Sequence, residues 1–306
     1  MINGIINVYK EKGYTSHDVV AKLRGILKQK KIGHTGTLDP DATGVLPVCL
    51  GKGTKLCDML LDKDKIYKAV LIFGVSTDTE DISGKVIKSE DVDTIRNNLS
   101  DDDIYDVVMS FKGEYDQTPP MYSALKVNGK KLYELAREGV VIERKKRRVN
   151  IIDINIEKIE FPRVIFTVTC SKGTYIRSLC RDIAEKLGVA GCMENLERTR
   201  VSRFDSADSL TLDEIRQLVE NNEINQYILP VDEALSGYKK AVVKEKYSKL
   251  AYNGNPLFVN MLDADNTYEP EENIRVYDGQ NEFIGIYQFD KELNKCKLMK
   301  MFYGNN

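Results

Sequence analysis

An α+β fold is what this sequence predicts, with a second, smaller β domain at the C-terminal end. Strand-like runs are interrupted by helices at irregular intervals, not in a repeating βαβ order. The chain has 306 residues, 42% of them hydrophobic, which is enough to bury a sizeable core in more than one domain. After Pro230 the pattern changes to short elements joined by tight turns. No internal repeat or low-complexity linker interrupts it.

Taken in order, the elements are a helix over residues 16–28, a strand over 67–73, and helices over 92–99 and 130–138. Residues 164–170 alternate Val164, Phe166, Val168 and Cys170 against Ile165, Thr167 and Thr169, which is the period of a strand. Residues 176–187 set Ile176, Leu179, Cys180, Ile183 and Leu187 on one helical face, and Gly188 stops the helix. Another helix is expected over 211–221. Beyond residue 239, turns at Asn253-Gly254-Asn255-Pro256 and Asp278-Gly279 punctuate the chain, followed by a strand over 282–289.

One run is too broken for a helix or strand: Gly33-His34-Thr35-Gly36-Thr37-Leu38-Asp39-Pro40-Asp41-Ala42-Thr43-Gly44-Val45-Leu46-Pro47. Its glycines permit positive φ or close backbone approach, and Pro40 pushes Asp39 into an extended conformation. Asp39 therefore projects from a stiffened turn, as a nucleophile must. The segment continues through an apolar stretch into Gly51-Lys52-Gly53-Thr54-Lys55, a cationic turn. That turn is not a Walker A loop, because Leu46 stands where the first glycine of the motif belongs. Asp39 and Asp41 are not read as a metal pair, because no other acidic or histidine cluster joins them. No metal and no cofactor are expected.

The six cysteines (Cys49, Cys57, Cys170, Cys180, Cys192 and Cys296) show neither zinc spacing nor a disulfide framework, and they read as buried thiols of a reducing cytosol. With no signal peptide and no apolar run long enough to span a membrane, a cytoplasmic protein is expected. The net charge is only −2, but cations gather in residues 22–31 and in Arg144-Lys145-Lys146-Arg147-Arg148, while acidity collects at Asp101-Asp102-Asp103 and over 263–272. Such basic clusters fit a phosphate-binding face.

Residues 33–55 resemble the signature segment of the TruB family of pseudouridine synthases, Gly-His-x-Gly-x-Leu-Asp-Pro-x-Ala-x-Gly-x-Leu-Pro. Further segments resemble the family in order. Lys10-Glu11-Lys12-Gly13-Tyr14-Thr15-Ser16 is similar to its N-terminal motif, and Lys65-Ile66-Tyr67-Lys68-Ala69 to its tyrosine strand. Residues 74–84 are similar to its Gly-x-x-Thr-x-Thr-x-Asp-x-x-Gly turn, and Pro119-Pro120-Met121-Tyr122-Ser123-Ala124-Leu125-Lys126 with 129–139 to its RNA-gripping insertion. Cys170-Ser171-Lys172-Gly173-Thr174-Tyr175-Ile176-Arg177 is similar to its second catalytic segment, and 196–204 to its closing motif. Residues 274–286 resemble the PUA-type RNA-binding barrel often appended to the family.

The resemblance implies a mixed-sheet catalytic core flanked by helices over residues 1–235, with an insertion over about 112–148, and a PUA-like domain over 236–306. It implies a stand-alone, monomeric enzyme that turns uridine-55 of the tRNA T loop into pseudouridine without a membrane, protein partner or guide RNA. A guide-dependent, dyskerin-like enzyme is the alternative, less expected because the chain begins near its first motif and ends without a lysine-rich tail. A non-catalytic RNA-binding or RNA-folding module is another, less expected because Asp39, Tyr67 and Arg177 are all present.

Pseudouridine formation breaks the N1–C1′ bond, turns the base and joins C5 to C1′, so it needs a placed carboxylate, a surface for the freed base and a cation beside the carboxylate. By resemblance Asp39 is the carboxylate, and attack at C1′, attack at C6 and abstraction of the 2′ proton are all open to it. Tyr67 stacks on the base and handles the C5 proton, while Arg177 pairs with Asp39 and lowers its pKa. Tyr175 packs on the target base, and His34 fills the place of the flipped nucleotide. Lys10 positions the Asp39 segment or the RNA backbone, and Lys126 belongs to the RNA-gripping insertion. Glu11 replaces a usual proline and Ser202 a frequent glycine.

Overall fold

A computed structural model describes residues 1–61, 64–127, 129–263 and 267–304. The core is a nine-stranded sheet. Its order is Gly4–Lys10, Thr43–Leu50, Gly191–Val201, Lys65–Phe73, Arg163–Cys170, Arg147–Glu160 and Gly113–Gln117. Ile32–His34 adds to Thr43–Leu50, and Phe204–Asp205 to Gly191–Val201. The sheet is mixed: Thr43–Leu50 and Gly191–Val201 run parallel, with Glu197 facing Thr43 and Arg198 facing Gly44, and the other pairings are antiparallel.

Alternation along Gly4–Lys10 divides the packing. Ile6 and Val8 bury against the helices Ser16–Ile26 and Leu212–Glu220 through Val19, Leu23, Leu212 and Ile215, whereas Ile5 faces the C-terminal domain. Farther along the sheet, Leu71, Phe73, Phe166 and Val168 are covered by the helices Ile176–Lys186, Val92–Asn98 and Asp101–Met109, through Leu179, Ile183, Ile95 and Ile104.

The helix expected over 16–28 ends at Ile26, because Lys28 turns to φ 49 and Gln29 bends back to accept from Ile2 N at 2.9 Å. Its start is a capping box: the Asp18 carboxylate accepts from Thr15 N at 2.8 Å, and Asp18 N donates to Thr15 Oγ1 at 3.1 Å. The expected helix over 130–138 shrinks to Leu132–Arg137, since Lys130–Lys131 pairs with Lys126–Val127 in a hairpin. The acidic run Asp101-Asp102-Asp103 is the first turn of the helix Asp101–Met109, which charge counting had not anticipated. Ser100 caps it, and carboxylates are favourable at a helix N-terminus. Ser202, in place of a glycine, takes φ 53.

The second sheet has six strands, ordered Leu257–Phe258, Lys295–Met301, Phe283–Asp290, Asn273–Tyr277, Lys239–Val243 and Leu262–Asp263. Ile286 and Phe302 pack against Ile5, Val45 and Leu235 of the core. The cationic turn after Leu50 is a 3₁₀ helix, Gly51–Leu56, and it closes this junction: Lys55 Nζ donates to Met301 O at 2.7 Å, and Lys300 Nζ donates to Lys55 O at 2.6 Å. Among the described residues no helix is long and apolar enough to cross a membrane.

Candidate active site

The register of four strands sets Lys10, Gly44, Arg198 and Tyr67 side by side in one row across the sheet. The Asp39 loop leads into this row. Polar groups from outside the loop hold it on one side. Lys10 is fully buried and its Nζ donates to Tyr14 O (2.6 Å), Pro40 O (3.0 Å) and Glu11 O (3.1 Å). Gly13 N donates to Pro40 O at 2.9 Å, and Leu38 N donates to the buried hydroxyl of Ser16 at 2.9 Å. The turn with Glu11 in place of proline is thus tied down by hydrogen bonds. Burial lowers the Lys10 amine to about 8, opposed by the charges of Asp39 and Asp41.

Arg177 leaves the first turn of the helix Ile176–Lys186 and is 6% exposed in its side chain, while Asp39 is 34% exposed and so reachable from one side. The two form a fork: Nε lies 2.9 Å from Asp39 Oδ2, and Nη2 donates to Oδ1 at 3.0 Å. The same guanidinium donates to Thr79 O at 3.1 Å and Tyr122 O at 2.9 Å, and stands 3.6 Å from Asp81 Oδ2. Burial is the larger influence on Asp39 and pushes its carboxyl above the usual range; Arg177 opposes that push. The sequence-based expectation was a lowered value; here burial outweighs the cation.

Tyr67 is buried, and burial raises its phenol above the ordinary value, opposed by the charge of Arg198, its neighbour in the row. Arg198 is 1% exposed, and it also donates to Val45 O at 2.8 Å and Gly36 O at 3.3 Å. It therefore joins the tyrosine strand to both ends of the Asp39 loop. Neither Arg198 nor Asp81 received a role from the sequence. The available signal was a charged residue two positions after Leu196, in the inward phase of a strand.

His34 is half-buried, its Nδ1 accepts from Gly36 N at 3.3 Å, and its ring meets His17 edge-on with centroids 5.5 Å apart. Burial, then the charge of His17, hold its imidazole below the usual value. Tyr175 caps the helix that carries Arg177 and is clamped by Gln117, which accepts from Tyr175 N at 2.8 Å and donates to Tyr175 O at 3.0 Å. Lys126 is exposed on the hairpin, where it pairs with Lys131. That hairpin lies in an excursion over 118–146, which leaves and rejoins the sheet where Gln117 pairs with Arg147.

The basic run at 144–148 is not five free cations. Arg148 reaches Glu114 (3.2 Å) and Asp116 (3.4 Å), and Arg144 donates to Pro119 O at 3.0 Å with Glu80 at 3.9 Å. Strand pairing of Gly113–Gln117 with Arg147–Glu160 delivers the acidic partners to Arg148.

Residues 24–176 match the family described as TruB family pseudouridylate synthase, N terminal domain, and residues 177–236 match the tRNA pseudouridylate synthase B C-terminal domain. The chain belongs to the TruB family. Relatives in the family named tRNA pseudouridine synthase B include that of Lachnoclostridium phytofermentans, 53% identical over 98% of this chain and 100% of that protein. Those of Clostridium kluyveri (46%, with 98% of this chain and 100% of that protein covered) and Alkaliphilus oremlandii (48%, with 98% and 97%) are similar over comparable lengths. Among solved structures, one of a Cbf5-Nop10-Gar1 complex superposes with a TM-score of 0.73 at 28% identity, covering 98% of this chain and 85% of that one. An H/ACA RNP bound to a substrate RNA containing 2′-deoxyuridine gives 0.72 at 26%, with the same coverage. The mixed sheet with its flanking helices is therefore the TruB-family core, and the C-terminal six-stranded sheet is consistent with a PUA-like domain.

Proposed function

We propose that this chain isomerises uridine-55 in the T loop of tRNA to pseudouridine, acting alone as a cytoplasmic monomer with Asp39 as the nucleophile. The observation that carries this reading is the Asp39–Arg177 fork beside the buried Tyr67. Breaking N1–C1′ and forming C5–C1′ moves one proton from C5 and returns one to N1, so no atom is gained or lost and no second substrate is required. Arg177 keeps Asp39 aimed and opposes its protonation. Tyr67 stacks on the base, and its hydroxyl, with the charge of Arg198 beside it, takes part in moving the C5 proton. His34, neutral at physiological pH, stacks where the flipped nucleotide has left. Tyr175 packs on the target base, and Lys10 works as a positioning group through Pro40 O. Residues 1–235 form the catalytic domain, in which the insertion over 112–148 grips the T arm with Lys126 against phosphate. Residues 236–306 hold the acceptor stem.

The role of Tyr67 separates into ring and hydroxyl. Tyr67→Phe is expected to slow single-turnover conversion severely with the ring retained, and Tyr67→Leu to remove stacking as well. Wild-type rates in both variants would refute both roles. The reading as a whole is tested with chelator-treated protein and an unmodified T-stem-loop transcript. Pseudouridine is expected at the position equivalent to 55 with no guide RNA and no metal beyond that needed to fold the RNA. The Cbf5 complexes are more distant, at 26–28% identity, than the relatives named tRNA pseudouridine synthase B, so the guided reading is not favoured; conversion only when a guide is added would establish it in place of the first.

A further inference from the structure

Residues 79–81 present three consecutive groups to the helix that carries Arg177. Thr79 O and the Asp81 carboxylate face Arg177 itself, at 3.1 and 3.6 Å. Between them Glu80 points the same way, and its carboxylate accepts from Ser178 Oγ at 2.6 Å and from Arg181 Nη1. Arg181 lies one helical turn beyond Arg177, so both guanidiniums line one face of the helix. Glu80 is 8% exposed and takes φ 65, a left-handed conformation in which only the contacts around it can hold a residue with a side chain. Its carbonyl accepts from Met193 N at 3.1 Å, which ties the turn to the sheet.

The same pair also holds the stems of the 118–146 excursion. Arg181 Nη2 donates to Thr118 O at 3.2 Å on the outgoing stem. Arg144, on the returning stem, reaches Glu80 at 3.9 Å and donates across to Pro119 O at 3.0 Å. At the tip of this assembly Tyr122 O accepts from Arg177 at 2.9 Å. Nothing in the reaction chemistry calls for a buried Glu80. The arrangement nevertheless joins the turn, the helix and both stems through one carboxylate.

We propose that Glu80 is a positioning residue for Arg177 and that, with Arg181 and Arg144, it couples the seating of the RNA-gripping excursion to the aim of the Asp39–Arg177 fork. This rests on the roles proposed above for Asp39 and Arg177. With RNA seated on the excursion, its stems bear on Glu80 and Arg181, and the helix face bearing Arg177 is held in register with Asp39. Loss of the link leaves both RNA contacts and chemical groups in place but lets the fork wander, and small misplacements of reacting groups are costly in rate.

The test is steady-state and single-turnover conversion of the T-stem-loop transcript by Glu80→Gln, Arg144→Gln and the double variant. Each single variant is expected to lower kcat by about tenfold while KM stays within about twofold. The double variant is expected to lose no more than the worse single, because both act through one linkage. A merely structural role would shift the melting temperature and leave kcat of the folded protein unchanged, and that outcome overturns the proposal, as do additive losses. Should Glu80→Gln fail to fold, Arg144→Gln decides alone, since Arg144 lies on a partly exposed segment without regular structure. An undiminished kcat there also overturns it. Absence of product with the wild-type chain would overturn the functional reading and this one with it, whereas product with undiminished turnover in the variants overturns this one alone.

Discussion

Asp39→Asn is expected to abolish pseudouridine formation while RNA affinity stays within tenfold, about 1.4 kcal/mol. The amide is nearly isosteric, so the loop keeps its clamps: Lys10 and Gly13 on Pro40 O, and Ser16 on Leu38 N, do not involve the carboxylate. What is lost is the proposed nucleophile and one half of the charge pair with Arg177. The measurement is pseudouridine per transcript at saturating enzyme, with binding read by filter retention. Residual turnover of even a few per cent of wild type, with contamination excluded, would remove Asp39 from that role.

The largest stability effect is expected at Gly44, which borders the same row. A Cβ built there would lie 2.2 Å from Arg198 O and 2.9 Å from Arg198 C and N, in a backbone at φ 103. These are backbone atoms of the neighbouring parallel strand, so they cannot swing aside as a side chain could. Gly44→Ala is expected to cost about 3 kcal/mol or more and to lower the melting temperature by several degrees. Activity should fall with it, because Arg198 pairs with Tyr67 across the sheet and holds the loop. Gly13→Ala is the control: φ is 88, but nothing lies within 4 Å of the added Cβ. There the penalty is conformational alone, about 1 kcal/mol. Equal melting temperatures for the two variants would show that the close approach at Gly44 is relieved without cost.

The elements that could be read from the chain are those whose cause is local. Thr211 caps Leu212–Glu220 through a box with Glu214, all within four residues, and the helix expected over 211–221 stands with both ends within one residue. Ile176–Lys186 likewise follows its apolar face and ends before Gly188. Helix Asp101–Met109 has an equally local cap in Ser100 and Asp103, but its opening acids read as a charge cluster before they read as a first turn. The Asp39 loop was legible for a similar reason, since Pro40 and the glycines act on their own backbone.

What the sequence by itself determined about this protein was its family, its α+β class with a separate C-terminal β region, and the residues Asp39, Tyr67 and Arg177 as the groups to watch. The tertiary structure decided how those groups are used. Tyr67 meets Arg198 only because strands 65–73 and 191–201 pair in one register, and Arg198 meets Gly44 only because one pairing of the sheet is parallel. Arg148 appeared to be a free cation until pairing with residues 113–117 set Glu114 and Asp116 beside it. The protonation balance of Asp39 follows the same rule. Arg177 could be anticipated as its partner by motif, but the withdrawal of water that outweighs it belongs to no residue. Desolvation and register depend on which distant segments are packed together, and that information is spread over the whole chain.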